Sequence, residues 1–261
     1  AICWKQGRRA WAHSVNDCEE RLNNKALMTV IRWLVILAMP FFLGLGMIRG
    51  IILWDYPGFE YPRISPDMFG FTLEERLELA RANVEYLRRP EPAAEVIYLL
   101  QDLQLPGTNR PLYNDSEISH MVDVKNVADA MTRVAYVAGA IVVVGLAVLL
   151  LPAGNRAYGW RTLFIAGLGT VIILAVIALL ILLGWQFFFV QFHELLFPPG
   201  TWTFAYTDSL IRLFPEQFWF DFGVIASVGT LLLGLLVALV GYLMSRRTRS
   251  RVTVLRPPQP N

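Results

Sequence analysis

Residues 163–190 read LFIAGLGTVIILAVIALLILLGWQFFFV and contain no Asp, Glu, Lys or Arg. A helix of about 20 apolar residues crosses the roughly 30 Å hydrocarbon core of a bilayer, so this run predicts a membrane-spanning helix. Three similar runs lie at about residues 26–53, 134–151 and 222–244. The fold class that we predict is therefore an all-α integral membrane protein with four transmembrane helices.

The distribution of basic residues orients these spans. The link between the second and third spans carries Arg156 and Arg161 and no acid, and residues 246–261 are equally basic. Because Lys and Arg accumulate in cytoplasmic loops, both termini are predicted to be cytoplasmic. The chain then divides into a cytoplasmic N-terminal stretch (1–25), a four-helix membrane domain (26–245) and a basic cytoplasmic tail (246–261). The two outward loops are residues 55–133 and 191–221.

The large first outward loop has helical patterning of its own. Thr72 is followed three residues later by Glu75, which is the pattern of a capping box at a helix start. Apolar residues recur at helical spacing from there until Pro90, and a second short helix is predicted at about residues 93–104. These amphipathic helices either pack on each other or lie on the membrane surface.

Two of the three histidines fall in the outward loops. Glu117, His120 and Asp123 are spaced three apart in a helix predicted to begin near Ser116, so they share one face. A carboxylate beside an imidazole can orient it, although a solvated charged face has the same pattern. Since His120 precedes Val134 by roughly 20 Å of helix, we predict a bend around residues 126–132.

The second histidine stands in an aromatic run, WQFFFVQFHELLF, at residues 185–197. If the third span continues as a helix through Phe197, His193 lies at the outer membrane boundary with Glu194 beside it. Burial there would lower the pKa of the imidazole and keep it neutral. Ionisable groups at membrane depth point to function. Arg49, at the end of the first span, is a candidate contact for a lipid headgroup, or it snorkels to the interface.

Other kinds of chemistry are poorly supported. Glu117-x-x-His120 resembles half of a di-iron site, but the second Glu-x-x-His pair is missing, so we predict no metal and no cofactor. Ser119 and Ser209 lack the small-residue turn that presents a serine nucleophile. Both cysteines, Cys3 and Cys18, lie in the N-terminal stretch. No nucleic-acid-binding module is visible, and the basic ends are better explained as contacts with anionic membrane lipids.

Several short motifs together resemble a known bacterial membrane family, the lipoprotein intramolecular transacylases (Lit) and their uncharacterised four-span relatives. The similarity extends over about residues 28–245 and rests on these stretches: Glu74 to Leu77 with Tyr86-Leu87, Glu117 to Val124, Phe192 to Phe197, Trp202 to Phe204, and Leu210 to Phe218.

This resemblance implies an enzyme of the bacterial cytoplasmic membrane with an outward-facing site. Its partner would be a diacylated lipoprotein, whose sn-2 acyl chain moves from glycerol to the cysteine α-amine and leaves a lyso-form lipoprotein. His193 is expected to act as general base and His120 as the proton or hydrogen-bond donor, with the reverse assignment open. Glu117, Asp123 and Glu194 are candidate supporting residues. An acyl-lipid hydrolase or transferase with another acceptor, and a non-enzymatic membrane interaction protein, remain alternatives. No oligomeric state is predicted.

Overall fold

The computed structural model describes residues 8–254, with side chains from residue 24 to residue 248. The described chain is helical, and its helices are α1 (Arg8–Leu53), α2 (Tyr56–Glu60), α3 (Leu73–Arg88), α4 (Ala93–Val96), α5 (Tyr98–Gln101), α6 (Asp115–Leu150), α7 (Arg156–Leu183), α8 (Trp185–Leu196), α9 (Ser209–Leu213) and α10 (Glu216–Val254). A short 3₁₀ turn, Ala153–Asn155, links α6 to α7.

Four of the described helices are long and apolar enough to cross a membrane: Asn24–Leu53, Asp115–Leu150, Ala153–Leu183 and Glu216–Thr248. The predicted fold class is thereby confirmed. The long helices form a bundle in which α7 packs mainly on α10, and α1 packs mainly on α6. The predicted N-terminal stretch and basic tail fall partly on residues 1–7 and 255–261, which lie outside the described residues.

Small residues allow the closest of these helix contacts. A Cβ atom on Gly167 of α7 would lie 2.5 Å from the backbone nitrogen of Ala238, and one on Gly241 of α10 would lie 2.4 Å from the backbone nitrogen of Phe164. Transmembrane helices associate largely through such close packing, because lipid offers no hydrophobic driving force between them. The α7–α10 pair therefore depends on glycine at the crossing.

A cap covers the end of the bundle at which α1 ends and α10 begins. We use this name for residues 54–114 and 197–215, which include α2 to α5 and α9. Apolar side chains of α3, among them Ala80 and Tyr86, are buried with Leu100 of α5 in one cluster that continues into α10. The amphipathic helices thus pack on each other, and a position on the membrane surface stays a prediction.

Long-range polar contacts tie the cap together and to the bundle. The Tyr61 hydroxyl donates to the Leu213 carbonyl oxygen over 2.7 Å, and the buried Lys125 ammonium of α6 donates to the Arg89 carbonyl oxygen over 2.7 Å. A buried pair joins Arg212 to Asp67 at 2.9 Å. Each of these contacts gives a buried polar group a partner, which keeps its burial from being costly.

The start of α3 agrees with the sequence prediction in detail. The Thr72 side chain accepts a hydrogen bond from the backbone N–H of Glu75, and the Glu75 carboxylate accepts one from the backbone N–H of Thr72. Both halves of the capping box are therefore present. The signal is reliable because it involves only neighbouring residues.

The structure bears on three other predictions about the helices and corrects two of them. For the bend predicted around residues 126–132, the structure shows one continuous helix, α6, from Asp115 to Leu150, so a bend there would have to occur within the helix, without a break in it. The third span ends at Leu183, because Gly184 leaves helical geometry at φ −144° and ψ 46° and separates α7 from α8. The region 93–104 contains two single turns, α4 and α5, in place of one helix.

Candidate active site

His120 is held near the start of α6 by the way this helix begins. Asn114 caps the helix, and its side chain accepts hydrogen bonds from the backbone N–H groups of Ser116 and Glu117. One residue after His120, the carbonyl oxygen of Met121 accepts a hydrogen bond from the Tyr86 hydroxyl over 3.2 Å. The imidazole is only 6% exposed, and its Nδ1 has no hydrogen-bond partner among the described residues.

The length of α6 determines how far His120 lies from the other end of the helix, at Leu150. At about 1.5 Å per residue, His120 lies about 45 Å along the helix axis from Leu150. A bilayer with its headgroups is about 40–45 Å thick. The part of α6 between His120 and Leu150 is therefore long enough to cross a bilayer together with its headgroups.

His193 lies in the last turn of α8, and its own helix selects its tautomer. Nδ1 is 2.7 Å from the carbonyl oxygen of Phe189, one turn earlier. A carbonyl oxygen can only accept, so Nδ1 carries the hydrogen, and in the neutral ring Nε2 presents a lone pair. Burial lowers the pKa of His193 below its usual value, and the hydrogen bond to Phe189 opposes this only in part. The side chain is thus a neutral base near neutral pH.

The structure brings the two imidazoles together. Their ring centroids are 6.5 Å apart, with the planes inclined by 22°. Phe197 lies against both rings, at 4.9 Å from His120 and 5.5 Å from His193. Phe204 is 5.4 Å from His120, and Trp202 is 5.0 Å from His193. We call these five residues the histidine pocket.

The predicted carboxylates are not part of the histidine pocket. Glu117 is buried, and its two oxygens accept hydrogen bonds from the backbone N–H groups of Asn114 and Leu210, each over 2.8 Å. It thereby joins the start of α6 to the start of α9. Glu194 is exposed and accepts from the Gln191 side chain over 2.8 Å. Asp123 is partly exposed on α6.

Arg49 lies beneath the cap. One terminal nitrogen of its guanidinium is 3.5 Å from the carbonyl oxygen of Leu87 in the last turn of α3. Its Nε is buried and has no acceptor within the described part of the chain. The side chain therefore keeps donors available for a further acceptor. The structure does not bring it into contact with either histidine, and its contact with a lipid headgroup stays a prediction.

The aromatic members of the histidine pocket were not predicted as site residues. A run dense in Phe and Trp is equally typical of the aromatic belt at a membrane interface. The spacing Trp202-x-Phe204 was a usable signal, since alternate residues of an extended segment point the same way. No group of three or more His, Cys, Asp or Glu that could hold a metal occurs among the residues described.

These observations define a class of protein: a polytopic membrane protein with a paired-imidazole site, walled by aromatic rings, at one end of its bundle. The family model for the lipoprotein intramolecular transacylase Lit matches residues 26–219. The chain belongs to this family, and the resemblance found in the sequence is confirmed.

Individual relatives agree with the family assignment. An uncharacterised protein of Aquifex aeolicus is 28% identical over 192 residues, which is 74% of this chain and 82% of that protein. The membrane-integral lipoprotein intramolecular transacylase Lit of Bacillus cereus has a similar structure, with a TM-score of 0.65 and 22% identity over 88% of this chain and 99% of that one. A variant of it with one histidine changed to arginine gives a TM-score of 0.68 at 20% identity, covering 90% and 99% of the two chains. At these identities the likeness is one of fold.

Proposed function

We propose that this protein is a lipoprotein intramolecular transacylase. Its substrate would be a lipoprotein whose N-terminal cysteine bears a diacylglyceryl group and a free α-amine. The sn-2 acyl chain would move from the glycerol oxygen to that amine, giving the lyso form. The observation that carries the proposal is the pairing of His120 with a tautomerically fixed His193 in an aromatic pocket.

In the proposed reaction the two imidazoles have different roles. As the amine attacks the ester carbonyl, its nitrogen becomes cationic and more acidic, and Nε2 of His193 is free to accept the proton. His120, on the other side of the gap, would donate to the glycerol oxygen as it leaves. General acid–base help of this kind contributes about 10²–10⁴-fold to the rate.

The chain supplies no obvious nucleophile of its own, and this reaction needs none. Ser119 is exposed beside His120, and both cysteines lie in the N-terminal stretch. Amine and ester belong to the same substrate molecule, so holding them together supplies the proximity that a bimolecular reaction lacks. The aromatic walls of the histidine pocket would limit the access of water, which would otherwise compete with the amine.

The proposed reaction requires the histidine pocket to face the outer side of the membrane. The basic α6–α7 link favours the cytoplasmic side, so the histidine pocket would face outward, where the positive-inside rule also places the cap. A lipid-anchored substrate reaches such a pocket by lateral diffusion in the outer leaflet. Exposed apolar side chains of α8, including Phe187 and Leu195, are suited to contact with that leaflet.

A direct test is conversion of a diacyl lipoprotein in cells that lack further N-terminal acylation. Mass spectrometry of the N-terminal lipopeptide should show the acyl chain on nitrogen and a free glycerol hydroxyl. His193→Ala and His120→Ala should each reduce conversion about 10²–10⁴-fold. Ser119→Ala is the matched control on α6 and should convert normally.

Two results would contradict the proposal. One is an unchanged diacyl N-terminus in the presence of folded, membrane-inserted wild-type protein. The other is release of free fatty acid without N-acylation, which would indicate a hydrolase instead.

A further inference from the structure

Trp202 carries a buried hydrogen-bond donor for which the described residues provide no acceptor. Its indole Nε1 is shielded from solvent and unpartnered. Leaving a buried donor unpaired is unfavourable, and buried Trp N–H groups usually find a partner. A tryptophan of the interfacial belt would direct its N–H to water or headgroups. The burial of this group, together with its place beside His193, points to a ligand.

The position of the donor indicates which ligand atom it serves. The Trp202 ring is 5.0 Å from His193, while Phe204, two residues further on, is 5.4 Å from His120. The segment that carries both aromatics therefore passes across the two imidazoles. The second unpartnered nitrogen of this region, Nδ1 of His120, lies in the same pocket. Two unpartnered nitrogens, Trp202 Nε1 and His120 Nδ1, and the Nε2 lone pair of His193 thus belong to one cluster of rings.

We propose that the indole N–H of Trp202 donates to the carbonyl oxygen of the reacting acyl ester and stabilises the oxyanion that forms there. This inference rests on the proposed transacylase function and adds a residue to it. An indole N–H donates and never accepts, so it cannot act as the base. It is suited to negative charge that develops in a site from which water is excluded.

The reaction step balances without any added reagent. The amine lone pair forms a C–N bond to the ester carbonyl carbon, and the π electrons of the C=O bond move onto oxygen, where the indole N–H lies. His193 takes the proton from nitrogen. When the C=O bond re-forms, the bond from the carbonyl carbon to the glycerol oxygen breaks, and that oxygen receives a proton from the imidazole pair. The products are an amide and an alcohol.

Trp185 provides a matched control on the same protein. Its Nε1 is also buried and unpartnered, but its ring contacts Phe188, Phe189 and Phe220 and neither histidine. Trp185→Phe and Trp202→Phe therefore remove the same atom and keep an aromatic ring. Only the second is expected to affect the chemistry.

The test uses purified full-length protein and a synthetic diacylglyceryl-cysteine lipopeptide in mixed micelles. Removal of one oxyanion donor typically costs about 10²–10³-fold in kcat, so Trp202→Phe should lose about that factor with little change in KM. Trp185→Phe should keep the wild-type kcat. A kcat for Trp202→Phe close to the wild-type value would overturn the Trp202 assignment alone, whereas wild-type protein that fails to convert the lipopeptide would contradict the transacylase function itself.

A second measurement covers the case in which Trp202→Phe does not fold. Wild-type protein labelled with ¹⁵N-tryptophan is titrated with the same lipopeptide bearing an acetylated amine, which retains the ester and cannot react. One indole proton signal should move downfield as the carbonyl binds, and it should persist in Trp185→Phe. Binding of this analogue without any downfield indole shift would overturn the proposal.

Discussion

At the scale of single residues, the local surroundings of His193 decide its chemistry. The hydrogen bond from Nδ1 to the Phe189 carbonyl oxygen fixes the tautomer, and burial lowers the pKa. Burial keeps the ring neutral, and the hydrogen bond, which by itself raises the pKa, leaves the lone pair of the neutral ring on Nε2. The aromatic rings packed against His193 therefore contribute to the burial that lowers its pKa.

This tuning predicts a pH profile. Activity requires both a neutral substrate amine and neutral His193. Because the pKa of His193 is lowered, protonation of this residue should reduce kcat only below the ordinary imidazole pKa of about 6.5, in addition to the loss that protonation of the amine causes at higher pH. Phe197→Ala should admit water, raise the pKa towards its ordinary value and move the acid limb of kcat to higher pH. The measurement is kcat against pH for wild type and variant with one lipopeptide, so that ionisation of the substrate amine is common to both.

Leu195→Ala is the control for this experiment, since Leu195 is exposed on the same helix, α8. Its acid limb should coincide with that of the wild type. An acid limb unchanged by Phe197→Ala would show that burial by this ring does not determine the pKa of the base.

At the scale of helices, two kinds of feature differ in how well the sequence predicts them. The capping box at Thr72 and Glu75 is local, and both of its hydrogen bonds are present. The break at Gly184 was missed because it lies inside an unbroken apolar run, where hydropathy is the same on both sides. The second span is longer than predicted from hydropathy, because α6 begins at Asp115, well before the apolar run that starts at Val134.

The α7–α10 crossing gives the prediction at this scale. Gly167→Ala should place a methyl group against the backbone of α10, only 2.5 Å from the Ala238 nitrogen, and force the helices apart. Overpacking of this kind typically costs about 1–3 kcal/mol. Gly169→Ala, where a Cβ meets nothing within 4 Å, should be neutral or slightly stabilising. Thermal unfolding of both variants in the same detergent checks this, and equal stability of the two would contradict the close crossing.

At the scale of the whole molecule, the cap and the bundle form the site together. One imidazole comes from α6 and the other from α8, and Glu117 ties α6 to the start of α9, 93 positions later in the chain. Substitutions in the cap that break the hydrogen bond between Leu210 and Glu117 should therefore alter the histidine pocket, even when the substituted residue does not contact it.

We predict that the cap lies outside the cell and that the α6–α7 link lies in the cytoplasm. In a background with Cys3 and Cys18 changed to serine, Thr108→Cys in the cap should react with a membrane-impermeant maleimide in intact cells. Ala153→Cys in the α6–α7 link should react only after permeabilisation. Both positions are exposed. The reverse labelling pattern would place the histidine pocket on the cytoplasmic side and exclude the proposed substrate.

The sequence by itself determined the number of spans, the start of α3 and the two histidines as candidates, because hydropathy and capping are properties of neighbouring residues. Only the tertiary structure decided that the two imidazoles face each other, that Phe197, Trp202 and Phe204 enclose them, and that Glu117 binds the Leu210 amide and not an imidazole. These contacts join residues far apart in the chain, and their geometry follows from how the helices pack. The particular partner of each buried polar group is therefore a property of the fold.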